Sequence, residues 1–508
     1  MAVSTRRVSV PALAGRNYID GRWEEAHGET FESRNPANID ELVGIFPRSG
    51  AEEVDRAVRA ARSAFPQWRA TSRVFRAECF DRLAQLIKTH LEELTDLVAL
   101  ESGKVRNEAY ADVVEALHMV QYVFSTGRMP YGSVVPSEVA EKESYAIRKP
   151  KGVVGVISPW NFPFAIPLWL IGPSLIEGNT VVFKPSEETP AVAQRLVELM
   201  VEAGFPEGTI NLVHGIGEEA GAALVEHPDV DVIAFTGSAE VGSKIKQVCA
   251  ADFRKLAVCE MGSKSAVIVL EDGDLDLAVN AAVLSAYKTA GQRCVSAGRI
   301  LIHEKHYDVF TERFVALSER VRFGDPFDDG SFAGPLINEQ AVKKYEYYND
   351  LARQEGAEVL LAGGRIDSEG RQKGYFVAPF VYRIRHAPGI RCIREEVFAP
   401  HVALIPFASI EEAIRIYNDT PYGLALSVIT EDYRAMKRLR DECDFGVGYV
   451  NLPCIGAEVQ LPFGGVKQSG TGFPSAATLY RAVTHEVAWT INYGREIKMA
   501  QGLQAKVQ

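Results

Sequence analysis

VVGVISPWNFPFAIPLWLIGPSLIEGNTVVFKPSEETPAVAQRLVELM, residues 153–200, is the stretch on which the fold turns. Residues 153–176 carry no charge and are long enough to cross a bilayer. Four prolines argue against a single spanning helix: Pro159, Pro163, Pro167 and Pro173 each remove a backbone donor and crowd the preceding turn. Asn161 would lie unpaired in lipid. The stretch therefore reads as a buried strand and a loop feeding a core helix. A second short run, 180–183, reads as a strand. Val192, Leu196, Leu199 and Met200 then recur at helical spacing, with Thr189 placed to cap that helix and Pro190 suited to its first turn.

The alternation continues outward. Short β-rich runs at 153–157, 180–183, 210–213, 230–235 and 266–270 are interleaved with helical patterns, which predicts a parallel sheet with covering helices, an α/β fold. Upstream, Phe80, Leu83, Ile87, Leu91 and Leu94 predict one amphipathic helix over 75–100. Downstream, 300–470 alternates less regularly, with helices expected at 307–321 and 409–418, and predicts a second α/β lobe. The tail 482–492 alternates like a strand and reads as an arm that pairs with another element or another subunit. No repeat or low-complexity run interrupts the chain.

Length and composition bound the rest. A chain of 508 residues, 47% hydrophobic and 24% charged, has ample core for two or three lobes of a water-soluble globular protein. A net charge of −12 repels phosphate backbones and anionic bilayers, so neither nucleic acid nor membrane is expected as a partner. Seven scattered cysteines, an odd number with no C-x-x-C, exclude a disulfide framework and a zinc cluster and fit a reducing, cytoplasmic setting with no metal. Near the N-terminus, the apolar stretch 8–13 is short and broken by Ser9 and Pro11, unlike a signal peptide.

Five segments carry chemistry. Gly291-Gln292-Arg293-Cys294-Val295-Ser296 offers a cysteine, the best side-chain nucleophile near neutral pH, with Arg293 and Arg299 placed to lower its pKa. Asn161, in a proline-bracketed loop after a strand, offers an amide to a developing oxyanion together with the Cys294 N–H. Glu260, between an apolar run and a strand, suits a general base acting on water. Gly237 and Ser238 lie where a strand turns into a helix, a site whose free N–H groups favour pyrophosphate. Lys184 and Glu187 end another strand, within reach of ribose hydroxyls. Each has a bland reading: a core cysteine, a turn asparagine, a solvated loop glutamate. The segment 214–221 imitates a dinucleotide fingerprint with one residue too many before its last glycine.

In combination and in chain order, these segments resemble the aldehyde dehydrogenase superfamily over nearly the whole sequence. Pro159-Trp160-Asn161-Phe162-Pro163 resembles its oxyanion-asparagine motif, and Lys184 to Glu187 its adenine-ribose motif. Phe235-Thr236-Gly237-Ser238 resembles its phosphate-side turn. Glu260-Met261-Gly262-Ser263-Lys264 resembles the catalytic-glutamate motif, and Gly291 to Cys294 the nucleophile motif. Glu396-Val397-Phe398-Ala399-Pro400 resembles the grip on the nicotinamide ribose, and 462–470 the closing loop. Three positions depart from the pattern: Ser263 and Ala399 stand where glycine is usual, and Phe473 follows Gly472 where many relatives have Arg-Glu.

The resemblance implies a Rossmann-type cofactor domain (1–127 and 151–262), an α/β catalytic domain (263–478) and a small β oligomerisation ribbon (128–150 with 479–508). It implies oxidation of a small-molecule aldehyde through a Cys294 adduct and a thioester hydrolysed by Glu260-activated water. Trp160, Lys184, Glu187, Gly237, Ser238, Glu396 and Phe398 would bind the cofactor. NAD is expected over NADP because Glu187 repels a 2′-phosphate. A homodimer or homotetramer is expected. Arg293 and Gly456-Ala457-Glu458 are similar to the branch that oxidises amino-acid semialdehydes. There Arg293, with the Gly456 and Ala457 N–H groups, would hold a substrate carboxylate and Glu115 an ammonium. The alternatives are a salt-bridging Arg293 beside a plain turn, a retired scaffold that binds without catalysis, and a thiol esterase that needs no NAD.

Overall fold

The computed structural model describes residues 12–366 and 373–502. The N-terminal stretch discussed above lies mostly outside them. The run 153–176 is strand Val153–Ile157, a loop that holds Pro159 and Pro163, and helix Ala165–Ile176, which takes Pro167 in its first turn and keeps Pro173 inside it. Among the described residues no helix is long and apolar enough to cross a membrane.

Two seven-stranded sheets organise the chain. In the first, Leu256–Glu260, Val232–Thr236, Val153–Ile157, Thr180–Lys184 and Ile210–Leu212 lie side by side and parallel. An antiparallel hairpin, Arg16–Ile19 with Arg22–Glu25, extends one edge; Asp20 and Gly21 turn it with φ of 49° and 80°. Asp-Gly flanked by strand-forming residues carried that hairpin in the sequence. Successive residues of these strands feed opposite faces. Val153 and Val182 pack with Val54 and Val58 of helix Ala51–Ala70, whereas Val154 and Val181 pack with Leu168 and Leu196. Burial on both faces is why the strands read as unbroken apolar runs.

The run at 266–270 belongs to the second sheet instead. Its order is Glu358–Arg365, Val377–Arg383, His401–Phe407, Ala297–His303, Ser265–Val269, Ala425–Ile429 and Val447–Val450, parallel except for the first pair. A separate three-stranded antiparallel ribbon joins Gly132–Val135, Lys142–Pro150 and Thr484–Asn492. The tail strand thus exists but begins at Thr484, because Ala482 and Val483 close the short helix Tyr480–Val483.

Two local expectations are corrected. The pattern over 75–100 is two helices, Arg73–Thr89 and Leu91–Ser102. His90, at φ −100° and ψ 15°, ends one by donating to Leu86 O and starts the next by accepting from Leu94 N, so the apolar spacing runs on through the break. Helix Pro190–Glu202 has Pro190 in its first turn as expected, but the Thr189 hydroxyl makes no cap. The Glu101 carboxylate takes that place, accepting from Ala191 N and Val192 N at 2.9 Å each.

The topology decides where function can sit. Register pairs Ile157 with Lys184, Phe235 with Ile157, and Thr236 with Glu260, so these strands end together at one carboxyl edge, where open α/β sheets bind ligands. The second sheet turns the opposite edge to the same place, since 261–264, 291–296 and 396–400 each lead into the start of a strand.

Candidate active site

Cys294 is the one cysteine of seven that is not fully buried. It follows a run of left-handed residues, Thr289, Ala290 and Gly291, at φ of 55°, 53° and 72°. Such a conformation costs about 1–3 kcal/mol at a non-glycine residue and needs support. Glu108 gives it, accepting from Thr289 N at 3.0 Å on both carboxylate oxygens. At Gly291 a Cβ would lie 2.5 Å from Ala399 O, so only glycine fits that approach.

Asn161 meets this loop from the first sheet. Its Nδ2 donates to Gln292 O at 3.0 Å, and the side chain is 4% exposed. The bond fixes the amide orientation and leaves the second N–H for another acceptor. Phe162, the next residue, is held between cations: Lys104 Nζ is 3.5 Å and Arg293 Cζ 5.1 Å from its ring centre. Lys104 in turn pairs with buried Asp112 at 2.9 Å, and Asp112 also accepts from Ala165 N at the start of the following helix.

Glu260, 5% exposed, enters from the carboxyl edge. Its Oε2 accepts from Gly465 N at 3.1 Å, and burial holds its carboxyl well above the usual range. The closing loop is laced across it: Met261 N donates to Ser469 O, Thr471 N to Cys259 O, and Ser469 Oγ to Gly262 O. A Cβ on Gly464 would meet Glu260 Oε1 at 2.7 Å.

The Cys294 thiol is not activated as its neighbouring arginines led one to expect. Burial, then the Glu396 and Glu260 carboxylates, push it up to about 12, against weaker help from the Val295 N–H and Arg293. Arg293 is committed elsewhere, with Nη2 3.0 Å from Glu108 Oε1 and Nε 2.9 Å from Thr289 Oγ1. Arg299 is buried away from the thiol on the carbonyls of Lys264, Ile416 and Tyr417.

The residues read as cofactor ligands line the same edge. Lys184 Nζ lies 2.9 Å from Glu187 Oε2. Burial raises the Glu187 carboxyl, but the Lys184 charge and the Gly217 N–H outweigh it and hold it below the usual range. Gly217 lies in the segment that imitated a fingerprint, which therefore packs against the Lys184–Glu187 pair. Ser238 caps helix Ala239–Ala250, its hydroxyl accepting from Val241 N, while the Gly237 N–H is occupied by Glu260 O at 3.0 Å. Trp160 and Phe398 meet edge to face at 5.7 Å, and Phe398 has a φ of 62°. Glu396 Oε1 accepts from Ser263 N at 2.7 Å. A helix N-terminus, a cation–carboxylate pair and an aromatic pair along one sheet edge suit an extended dinucleotide. Among the described residues no cluster could hold a metal.

A cleft of about 630 Å³ is lined by Tyr110, Glu115, His118, Ala457 and Glu458. Burial, then the Asp112 charge, push the Glu115 carboxyl up to about 8. Burial, then Cys454, push the Tyr449 phenol up, with smaller contributions from Cys294, Glu115 and Glu458. Gly456 has a φ of 107° and nothing within 4 Å of an added Cβ. Sequence reasoning missed Glu108, Gln292 and Tyr449; Glu108 acts 181 residues from its partner Thr289, a pairing that no local motif signals.

The family model described as the aldehyde dehydrogenase family matches residues 23–487. The α-ketoglutaric semialdehyde dehydrogenase of Bacillus subtilis is 36% identical over 456 residues, 90% of this chain and 93% of that one. The 1-pyrroline-5-carboxylate dehydrogenase of Bacillus pumilus is 38% identical over 479 residues, covering 92% of each. Among solved structures, betaine aldehyde dehydrogenase from Staphylococcus aureus, in complex with NAD+, is 33% identical with a TM-score of 0.91, covering 97% of each chain.

Proposed function

The chain belongs to the aldehyde dehydrogenase family and oxidises an aldehyde with a nicotinamide cofactor, and from that premise we propose the residues, the cofactor and the substrate class. Cys294 is the nucleophile, Asn161 the oxyanion donor and Glu260 the base. The observation that carries this is the Asn161–Gln292 bond at 3.0 Å, which sets a fixed amide beside the one partly exposed thiol.

The Cys294 sulfur adds to the carbonyl carbon, and the Asn161 N–H not used by Gln292, with the Cys294 N–H, stabilises the alkoxide. When bound, NAD supplies the hydride acceptor and a positively charged ring that favours a thiolate. The alkoxide re-forms the carbonyl as the C–H electron pair departs, leaving a thioester on Cys294. Glu260 takes a proton from water, the hydroxide adds, and the sulfur leaves to release the acid. Trp160, Ser238, Glu396 and Phe398 would hold the dinucleotide, with Gly237 offering a close backbone approach and not its N–H, which Glu260 O occupies, and Lys184 with Glu187 would hold the adenosine ribose. An anionic Glu187 there favours NAD over NADP.

The substrate in this reading is an amino-acid semialdehyde. Glu115 and Glu458 line the cleft with carboxyls, and although burial keeps Glu115 protonated near neutral pH, an ammonium beside it favours its ionised form. Arg293, whose Nη1 carries no hydrogen bond among the described residues, faces the carboxylate, with the Gly456 and Ala457 N–H groups beside it. Relatives named for semialdehydes support a second charged group. Residues 1–127 with 151–262 would form the cofactor domain and 263–478 the catalytic domain. Seven free thiols fit a cytoplasmic enzyme.

NADH formation across amino-acid semialdehydes, dicarboxylic semialdehydes and plain aldehydes is the test, repeated with Cys294→Ala and Glu115→Gln. Cys294→Ala is expected to abolish turnover. Glu115→Gln should lower kcat/KM for the amino-substituted series about tenfold, the size of one lost charge-assisted contact, and leave plain aldehydes within about twofold. Equal losses in both series sink the substrate assignment; turnover without Cys294 sinks the mechanism.

A further inference from the structure

The segment 451–461 leaves the end of strand Val447–Val450 and carries Ala457 and Glu458 to the cleft wall. Its start is tied to the body. Asn451 Nδ2 donates to Thr430 O and its Oδ1 accepts from Thr430 N, both at 3.0 Å, and Leu452 O accepts from Ser427 Oγ at 2.6 Å. Cys454 is the last tie. It alone is buried between 447 and 458; its N–H donates to Ser285 Oγ at 3.0 Å and its thiol to Val295 O at 2.9 Å. Among the described residues, the hydrogen bonds of 455–461 stay within that stretch, Leu461 N and Gln460 Nε2 both donating to Glu458. Ile455, Ala457 and Val459 do pack on the core, but apolar contact has no direction and sets no fixed spacing.

Val295 follows Cys294 directly, so one thiol joins the cleft wall to the loop of the nucleophile. Cysteine suits the place: it fills a dry, fully buried position as a small apolar side chain and still offers a donor to a buried carbonyl. We propose that Cys454 is a positioning residue for substrate choice: its bond to Val295 O fixes the distance between the Cys294 sulfur and the wall that receives the far end of the aldehyde. The proposal rests on the amino-acid semialdehyde reading, in which the substrate is held at both ends. Such a molecule must span a set distance, and a misplacement of ~1 Å in a held substrate can cost ~10²-fold. A plain aldehyde, held at its carbonyl alone, is indifferent to the wall.

Three variants of the full-length enzyme test it. Cys454→Ala removes the thiol donor, Cys454→Ser keeps a donor, and Ser285→Ala removes the second anchor with the thiol untouched. Two readouts separate the tie from the substrate. Cleavage after Glu458 by a glutamyl endopeptidase, scored by mass spectrometry without ligand, reports how firmly the wall is held. kcat and KM with saturating NAD, for amino-acid semialdehydes and for plain aldehydes, report its consequence. Cys454→Ala is expected to speed that cleavage and to raise KM for the amino-acid series, each about 5-fold, the size of one ordinary buried hydrogen bond. Its kcat, and kcat/KM for plain aldehydes, should stay within about twofold, as for an interaction made equally in ground and transition state. Ser285→Ala should repeat the pattern, and Cys454→Ser should return both readouts toward the wild type. Cleavage unchanged in both alanine variants overturns the proposal, as does an equal loss in both aldehyde series or a serine variant that behaves like alanine. A wild type that treats the two series alike overturns the substrate reading instead, and cleavage at Glu458 then decides the tie by itself.

Discussion

Glu260 shows how one buried side chain sets a pH profile. Burial favours its neutral form, and only the Gly465 N–H among its neighbours favours the anion. Below its raised pKa the group is protonated and takes no proton from water; above it, the carboxylate forms. The hydrolytic step should therefore rise with pH through that pKa, an alkaline-rising limb in kcat. Glu260→Gln removes the base while keeping shape and one acceptor for Gly465. Rapid mixing is expected to show a burst of about one NADH per site followed by turnover slowed ~10²- to 10⁴-fold; a variant with no burst and a proportionally slowed first turnover would move Glu260 out of the hydrolytic step. The candidates Cys294, Asn161 and Glu260 were legible because each lies in a short local motif. The groups that tune them were not. Glu108 and Gln292 act through contacts that exist only once both sheets are in place, and the same contacts turn Arg293 and Arg299 away from the role their position suggested.

Among the elements, strands announced themselves better than helix ends. Parallel strands buried on both faces must be apolar throughout, so Val153–Ile157 could be read to the residue. Caps depend on whatever side chain arrives from elsewhere. The start of helix Pro190–Glu202 is satisfied by Glu101, from helix Leu91–Ser102, which also accepts from Ser33 Oγ at 2.7 Å. With Glu101→Ala three donors are left buried without an acceptor, at ~1–3 kcal/mol each, and a fall of several degrees in the unfolding temperature is expected. Burial raises the Glu101 carboxyl to about 7 despite these donors. The folded state therefore holds a proton that the unfolded chain, titrating near ~4.3, releases first. The associated stability is full below that value and is lost as pH rises toward about 7. Glu101→Gln cannot titrate and should flatten this part of the stability profile in thermal melts between pH 4.5 and 7.5; an unchanged slope would assign it to other groups.

At the scale of the whole molecule, the ribbon is the part the fold does not explain from within. Three strands form it, and both outer ones, Gly132–Val135 and Thr484–Asn492, leave a row of backbone groups open along an edge among the described residues. Its contacts with the body sit at its base, where Arg148 reaches Glu177 at 3.4 Å and the Tyr480 ring at 4.5 Å. Farther out, Val134 is 72% exposed, Trp489 59% and Tyr493 64%. Isolated ribbons of this size are marginal in water, and apolar side chains gathered on one projecting element mark a contact surface. We expect that surface to be covered by a second copy of the chain, giving a dimer or tetramer. Val134→Glu with Trp489→Glu brings like charges onto the apolar face without touching the strand pairing or the thiol. Sedimentation velocity should then show the wild-type assembly replaced by a slower-sedimenting monomer, with the far-ultraviolet circular dichroism of the fold retained. A double variant that sediments with the wild type would mean that subunits meet elsewhere, and that the ribbon's exposed face serves no assembly of this chain.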